Sequence, residues 1–368
     1  MTEMAKAAVL VAPGKFEIRE FPIPEIGDDE MLVKVEGCGI CGTDGHEYRR
    51  DPFGLCPVVL GHEGTGEIIK MGKNITTDTA GKWTQVGDKI VTCIIPCGHC
   101  AACKNTPART NLCETVGVSG LMPDDEIHLN GYFATHLVIR KGSTFFNVNG
   151  MTLDQRMLVE PAAVAIHAVE RAKTTGLLRF NTPVLIQGCG PIGLMVMAVI
   201  RTMGIENIIA IDGNDNRLEL ARTVGAKYTF NFTEYDGVQP LAECVKDVTD
   251  GLGAEFAFQC TGFAKAGENI WKYVRRGGGV CELGFFLDGG PSQVNHHYDF
   301  CNKEITLVGS WVYTPQEYPI TFDFLRRAKG IGLPVEQFVT HHFPLEQITD
   351  ALEANVQMKG IKIAVVME

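Results

Sequence analysis

The chain has 368 residues, more than one hydrophobic core usually serves, and its 45% apolar and 21% charged residues are those of a globular protein rather than a disordered or fibrous one. Lys and Arg (33) are outnumbered by Asp and Glu (44), a formal charge of -11 with no dense basic run, which argues against nucleic acid and anionic membrane as partners. Met1 to Val11 lacks the basic start and long apolar run of a secretion signal, and no apolar stretch approaches the roughly 20 residues that span a bilayer; a cytoplasmic protein is expected, whose 13 cysteines point to metal or chemistry rather than disulfides.

Short β-type runs come first in the chain: Ala7–Leu10, Phe16–Arg19 and Met31–Val35, divided by turn clusters such as Ala12-Pro13-Gly14 and Gly27-Asp28-Asp29. Gly66–Lys70, Lys89–Ile95 and Phe133–Ile139 continue this all-β style. After about Gly150 the pattern changes. Val184–Gln187, Ile208–Asp212, Tyr228–Asn231, Phe256–Gln259, Val280–Leu283 and Ile305–Val308 alternate with stretches of helical period such as Leu218–Val224 and Leu241–Thr249. Such alternation predicts a parallel sheet with helices on both faces. Helical patterns at Thr321–Lys329 and Leu345–Val356 precede a closing strand, Lys362–Val366. The expected fold class is therefore α/β, a β-rich part followed by a doubly wound parallel sheet.

Val184-Leu185-Ile186-Gln187 leads directly into Gly188-Cys189-Gly190-Pro191-Ile192-Gly193, and an apolar helix, Leu194–Met203, follows and stops at Gly204. This order suits a dinucleotide. Gly188 permits the tight turn, Gly190 lets the backbone approach a pyrophosphate, and Gly193 allows close helix–strand packing, while Pro191 fits the first helical position with Ile192 next to it. The free N–H groups of that helix then face the phosphates. Ile208–Ile211 reads as the next strand and ends at Asp212, about twenty residues beyond the glycines, where an acid accepts from the adenosine ribose hydroxyls. A plainer alternative makes Asp212 a helix cap. An acid there repels a 2'-phosphate, and Gly213 and Asn214 offer no cation, so NAD is favoured over NADP. Arg217 completes the candidate cofactor residues of this segment. The turn Gln259-Cys260-Thr261-Gly262 makes Cys260 and Thr261 a candidate cofactor wall, unless it is an ordinary strand-end turn.

Cys97, Cys100 and Cys103 have two residues between each neighbouring pair, and Cys113 follows after a loop containing Pro107. Four thiolates on a short, turn-rich stretch suit closed tetrahedral zinc of the structural type; free or disulfide-paired cysteines are the competing reading. A second set is scattered: Cys41 in Gly39-Ile40-Cys41-Gly42-Thr43-Asp44, His62 and Glu63 in Gly61-His62-Glu63-Gly64, and Glu160 in Val159-Glu160-Pro161. Three mixed ligands would leave zinc's fourth position open for water or substrate. Taken singly each is weak, since a lone Cys is usually inert, a lone His usually a satisfied polar residue, and Glu160 before a proline can be a helix-start acid.

In this order, with His46 after the first segment, the motifs resemble the zinc-dependent medium-chain dehydrogenase/reductase family over nearly the whole chain, closest in style to its sorbitol, threonine and glucose dehydrogenases. The resemblance implies a groES-like β-rich catalytic domain at 1–155, completed by 313–368, around a Rossmann NAD-binding domain at 156–312. It implies a catalytic zinc on Cys41 and His62 with Glu63 or Glu160 as a third ligand open to exchange, a structural zinc on Cys97, Cys100, Cys103 and Cys113, and NAD as hydride acceptor. Thr43 would begin a proton relay that His46 helps complete, and Asp44 would steady His62. The implied activity is oxidation of a secondary alcohol, a polyol or sugar alcohol including cyclic ones, to a ketone; L-threonine or aldose oxidation is the alternative, and a non-catalytic nucleotide-binding or sensing protein the reading from another class. A small-molecule alcohol is the expected partner and a homo-oligomer, a tetramer before a dimer, the expected assembly. The nine residues between Cys103 and Cys113 exceed the family's usual loop, Asn74–Thr84 looks inserted, and Met122–Asn130 looks extended.

Overall fold

The computed structural model describes residues 3–367. The chain opens with β1 (Met4–Ala12), β2 (Lys15–Pro22), β3 (Met31–Gly39), the helix α1 (Gly42–Arg50), β4 (Val58–Val59), β5 (Glu63–Met71) and β6 (Lys89–Thr92). Then come α2 (Ala101–Asn105), β7 (His136–Ile139), β8 (Phe145–Asn147), α3 (Leu153–Met157) and α4 (Val159–Lys173). A regular alternation follows: β9 (Val184–Gln187), α5 (Pro191–Thr202), β10 (Ile208–Asp212), α6 (Asp215–Val224), β11 (Tyr228–Asn231), α7 (Val238–Asp247), β12 (Ala254–Gln259), α8 (Ala264–Tyr273), β13 (Val274–Glu282) and β14 (Thr306–Gly309). α9 (Glu317–Gly330), β15 (Val339–Pro344), α10 (Ile348–Val356) and β16 (Lys362–Val366) close the chain.

These elements form two compact units, one of residues 1–160, 313–319 and 336–368, the other of 161–312 and 320–335. The sequence assigns all of 313–368 to the first domain, yet 320–335 goes with the second unit. An amphipathic helix carries no sign of which core its buried side chains, here Phe324, Leu325 and Ala328, will join.

In the first unit a seven-stranded sheet runs β15-β16-β3-β5-β6-β8 with β7 also on β3, and a three-stranded sheet runs β2-β1-β4. Val33, Val35, Ile68, Ile90 and Leu137 fill the core with Ile348 and Leu352 of α10. The suspected insertion is a pinned turn: Thr77 bridges Trp83, and the buried Asp78 carboxylate accepts from Ala80 N, Lys82 N and Asn147 N at 2.8 to 2.9 Å. In the extended loop His128 Nδ1 lies 2.6 Å from Asp124 Oδ2, and Arg140 holds Asp125.

The second unit is a six-stranded sheet ordered β11-β10-β9-β12-β13-β14, every neighbouring pair parallel. Strand order reverses between β9 and β12, the place where doubly wound sheets bind ligands at their carboxyl ends. Leu185, Ile209, Ile211, Ala257 and Val280 pack against Leu241, Val245 and Ile270 of α7 and α8. β13 begins well before the expected Val280, through Arg275-Arg276-Gly277-Gly278-Gly279, where sheet pairing overrides low strand propensity. Among the described residues no helix is long and apolar enough to cross a membrane.

Candidate active site

Antiparallel pairing of β3 with β5 sets Gly39 opposite Glu63 and Cys38 opposite Gly64, so residues just past the end of one strand meet those just before the other. Cys41 and His62 are thereby neighbours despite their separation in sequence. The Cys41 sulfur, a His62 ring nitrogen and a Glu63 carboxylate oxygen all lie within 4.8 Å of one another. A Cβ on Gly39 would press on the Glu63 carboxylate, which Lys362 holds in place. Cys41 stands at the N-cap of α1, and Asp44 in the first turn accepts from Cys41 N at 2.8 Å, an anionic cap that starts a helix of poor intrinsic propensity. The same helix places Thr43 Oγ1 3.7 Å from Cys41 Sγ and Asp44 Oδ1 3.4 Å from His62 Nδ1.

These donors fit a cation. Donor atoms sharing one zinc stand about 3.3 to 3.8 Å apart, and these three all lie within 4.8 Å of one another. Asp44 Oδ1 and His62 Nδ1 are buried and otherwise unpartnered, the arrangement in which an outer carboxylate fixes the tautomer of a ligating histidine. The surroundings also call for positive charge: burial alone would lower the His62 pKa, but Asp44 and Cys41 hold it well above its ordinary value.

Two residues that no local motif signals complete the surroundings. Lys362, opening β16, is buried and donates to both Glu63 oxygens at 2.6 Å and to Ile40 O at 3.2 Å. Its one legible sign is a charge at the start of an otherwise apolar strand, Lys362-Ile363-Ala364-Val365-Val366. Tyr313 is buried and stands near Glu160. Glu160 itself sits in the first turn of α4, the helix-start position, and is not in the tight set with Cys41, His62 and Glu63. Burial and the nearby Glu63 push its carboxyl up to about 7 against the pull of His62. His46, exposed on α1, has Nδ1 3.1 Å from an Arg50 guanidinium nitrogen. Partial burial of the ring and the charges of Arg50 and Arg49 hold its pKa below the ordinary value.

The sulfurs of Cys97, Cys100, Cys103 and Cys113 also lie within 4.8 Å of one another, close to the roughly 3.8 Å edge of a tetrahedron with Zn–S bonds near 2.3 Å. All are free thiols. Backbone N–H groups point at them: His99 N and Cys100 N donate to Cys97 Sγ at 3.5 and 3.3 Å, and Cys97 N to Cys113 Sγ at 3.3 Å. Those amides bring the Cys97 thiol down to about 6, ready to ligate as thiolate.

In the second unit Gly188 follows β9 at φ 95°, and α5 starts with Gly190 as N-cap, Pro191 first and Ile192 next. A Cβ on Gly193 would overlap the Gly188 carbonyl, so only glycine brings helix and turn this close. Asp212 ends β10; its Oδ2 accepts from Cys189 N at 2.7 Å and Oδ1 from Asn214 N at 2.9 Å. The cap of α6 is Asn214, whose side chain accepts from Asn216 N and Arg217 N, which removes the helix-cap role considered for Asp212. The Arg217 guanidinium lies 3.9 Å from where a Gly190 Cβ would stand, beside the glycine turn. Thr261 packs on Gly188, and Cys260 N donates to Gln187 O at 2.9 Å, continuing the β9–β12 pairing. Burial holds the Cys260 thiol far above its ordinary pKa, so it can line a wall but not react.

Residues 27–148 match the alcohol dehydrogenase GroES-like domain and 191–327 the zinc-binding dehydrogenase family. The sorbitol dehydrogenase of Bacillus subtilis (strain 168) is 33% identical over 96% of this chain and 94% of its own. The chain belongs to the zinc-dependent medium-chain alcohol dehydrogenases. An L-threonine 3-dehydrogenase of Symbiobacterium thermophilum is 31% identical over 95% of this dehydrogenase and 93% of its own length. The crystal structure of an alcohol dehydrogenase from Thermotoga maritima superposes with a TM-score of 0.91 at 29% identity, covering 100% of both chains. The expected α/β class, a groES-like β-rich domain with a Rossmann sheet, is the one found. The protein is thus an enzyme, and its cofactors are zinc and NAD.

Proposed function

We propose that this dehydrogenase oxidises a secondary alcohol of the polyol or sugar-alcohol class to the ketone, with NAD as hydride acceptor. One observation carries the reading: Cys41, His62 and Glu63 converge within 4.8 Å with the Thr43 hydroxyl beside the thiol. Likeness to a sorbitol dehydrogenase supports the substrate class. Cys41, His62 and Glu63 would hold the catalytic zinc, and the four cysteines of the lobe a structural one. When bound, zinc supplies the charge that lowers the alcohol's pKa, and NAD the carbon that accepts hydride. Thr43 would accept the hydroxyl proton while giving up its own, and His46, kept neutral and at the surface, would hand a proton on to water. Asp44 holds the His62 ring. For each alcohol oxidised, one hydride reduces NAD and one proton leaves. Asp212, with lone pairs left on both oxygens, accepts from the adenosine ribose, Arg217 stands by the phosphates, and the N-terminus of α5 receives them.

Assaying NAD reduction with sorbitol and other linear polyols, cyclic sugar alcohols, simple alcohols, aldoses and L-threonine tests the substrate. Highest kcat/KM on a polyol supports the proposal; highest on L-threonine, as the 31% identical relative's name would have it, replaces it. We also infer a cytoplasmic homotetramer. Support comes from the all-free cysteines and from β14, paired on one side only with Leu307 48% exposed. A light-scattering mass of one or two chains would contradict the tetramer.

A further inference from the structure

His46 and Arg50 stand four residues apart on α1, a spacing at which side chains meet, and a helical arginine leans back over the turn before its own. They do meet: Arg50 Nη2 lies 3.1 Å from His46 Nδ1. Both side chains are exposed, as is that of Arg49. Basic residues in the last turn of a helix are ordinary, since they complement its dipole, and Arg49 fits that role. Arg50 does more. Among the described residues no carboxylate pairs with it, although acids outnumber bases in this chain by 44 to 33.

The acids near it are turned elsewhere. Asp44 accepts from Cys41 N at 2.8 Å, Glu47 from Phe53 N at 3.3 Å and Asp51 from Leu55 N at 2.6 Å. α10, the helix packed on α1, brings Glu353 near Tyr48. The charges that act on His46 are those of Arg50 and Arg49.

Chemistry then fixes where the imidazole carries its hydrogen. A guanidinium has donors only and keeps its charge at every working pH, so His46 Nδ1 is the acceptor and the neutral ring is protonated on Nε2. A proton reaching this ring along the relay can enter only at the Nδ1 lone pair that Arg50 now holds. Its entry sets two cations face to face, so the guanidinium swings off and the imidazolium gives up its Nε2 proton to water.

We propose that Arg50 is a positioning residue of the proton relay: its guanidinium holds His46 in the neutral tautomer with hydrogen on Nε2, and so keeps the relay open toward the acid end of the pH range. This rests on the relay role given to His46. The pKa of the ring agrees in direction, being lowered by partial burial and then by Arg50 and Arg49. Only the neutral ring accepts a proton, so a lower pKa moves the acid limb of alcohol oxidation to lower pH.

The test uses the zinc-loaded enzyme with 13C-labelled histidine, whose ring Cδ2 shift reports tautomer and charge without turnover; His46→Gln identifies the signal. In the unaltered protein the neutral His46 ring should show the Nε2–H form. Arg50→Met should relax that preference and raise the His46 pKa, and Arg50→Glu should raise it further. Arg50→Lys, which keeps a charge and a donor, should stay close to the unaltered protein. The acid limb of kcat against pH should move upward in the same order, with the plateau at high pH and the melting temperature unchanged. In the His46→Gln background none of the three changes should move the limb. An unaltered His46 pKa in Arg50→Met and Arg50→Glu, or a neutral ring carrying its hydrogen on Nδ1, would overturn the proposal. So would a limb that moves equally without His46, since the effect would then be one of general surface charge. A ring that responds to Arg50 while the limb stays fixed, in these variants and in His46→Gln alike, would dismiss the relay reading of His46 itself and the proposal with it.

Discussion

The first unit carries two clusters of metal-ligating side chains built on opposite plans. In the cysteine lobe all four donors fall between Cys97 and Cys113, on one short stretch whose own amides point at the sulfurs. At Cys41, His62 and Glu63 the donors come from the ends of two paired strands, with Asp44 on a helix, Lys362 from the last strand and Glu160 from α4 standing round them. Four thiolates saturate a tetrahedral ion; three mixed donors leave it able to bind and polarise a substrate. A local, closed cluster holds a loop together, whereas a site assembled from distant strands exists only when the whole unit is folded, and can therefore be tuned by residues far away in sequence.

Cys41→Ser should break the comparison most severely. It removes a ligand from the open site, so the chain should keep one zinc, in the lobe, and lose alcohol oxidation by more than the roughly 10 to 100-fold typical of outer-shell changes. Metal analysis and initial rates check both. Asp44→Asn should come next, within about 10 to 100-fold in rate or zinc affinity, because His62 keeps its place but loses the carboxylate 3.4 Å from Nδ1. A competition titration with a chelator measures the affinity, and an unaltered value would remove Asp44 from the site.

Outside both clusters, Asp212→Ser should weaken NAD by about 10 to 100-fold, taking charged hydrogen bonds as about 1.5 to 3 kcal/mol. Part of that loss comes from the glycine turn, since Asp212 also holds Cys189 N. Adding Gly213→Arg should move preference toward NADP once Phe232, whose ring a Cβ on Gly213 would press, swings aside. If the unaltered enzyme already reduces NADP better than NAD, the role given to Asp212 fails. Cys100→Ser should have the smallest effect on chemistry: one zinc lost, turnover per folded molecule kept at low temperature, and a lower melting temperature, because a structural ion contributes folding energy directly. Lost turnover with the second zinc still bound would show that the two clusters do not divide the work in this way.

The same contrast explains what could be read from the sequence. Four cysteines at short spacing, and a strand running into Gly188, Gly190 and Gly193, are local patterns, and the lobe and the glycine turn are formed by those residues. β9, β10, β11 and β16 have the bounds that apolar runs between turn residues announce. α1 was not legible, because Gly42, Thr43 and Gly45 favour no helix and the cap that starts it depends on Asp44 reaching back to Cys41. Neither was the surrounding of Glu63, which turns on the β3–β5 register and on Lys362, 299 residues further along the chain. Spacing carries information about neighbours along the chain. It carries none about which strand a distant lysine will open.

The most direct test of two metal centres with divided duties is anomalous diffraction from crystals of the zinc-loaded enzyme at the zinc absorption edge. Two peaks per chain are predicted, one enclosed by Cys97, Cys100, Cys103 and Cys113, the other bounded by Cys41, His62 and Glu63 with one side open. A single peak, or a second peak on Glu160 with Glu63 still held by Lys362 alone, would contradict the account.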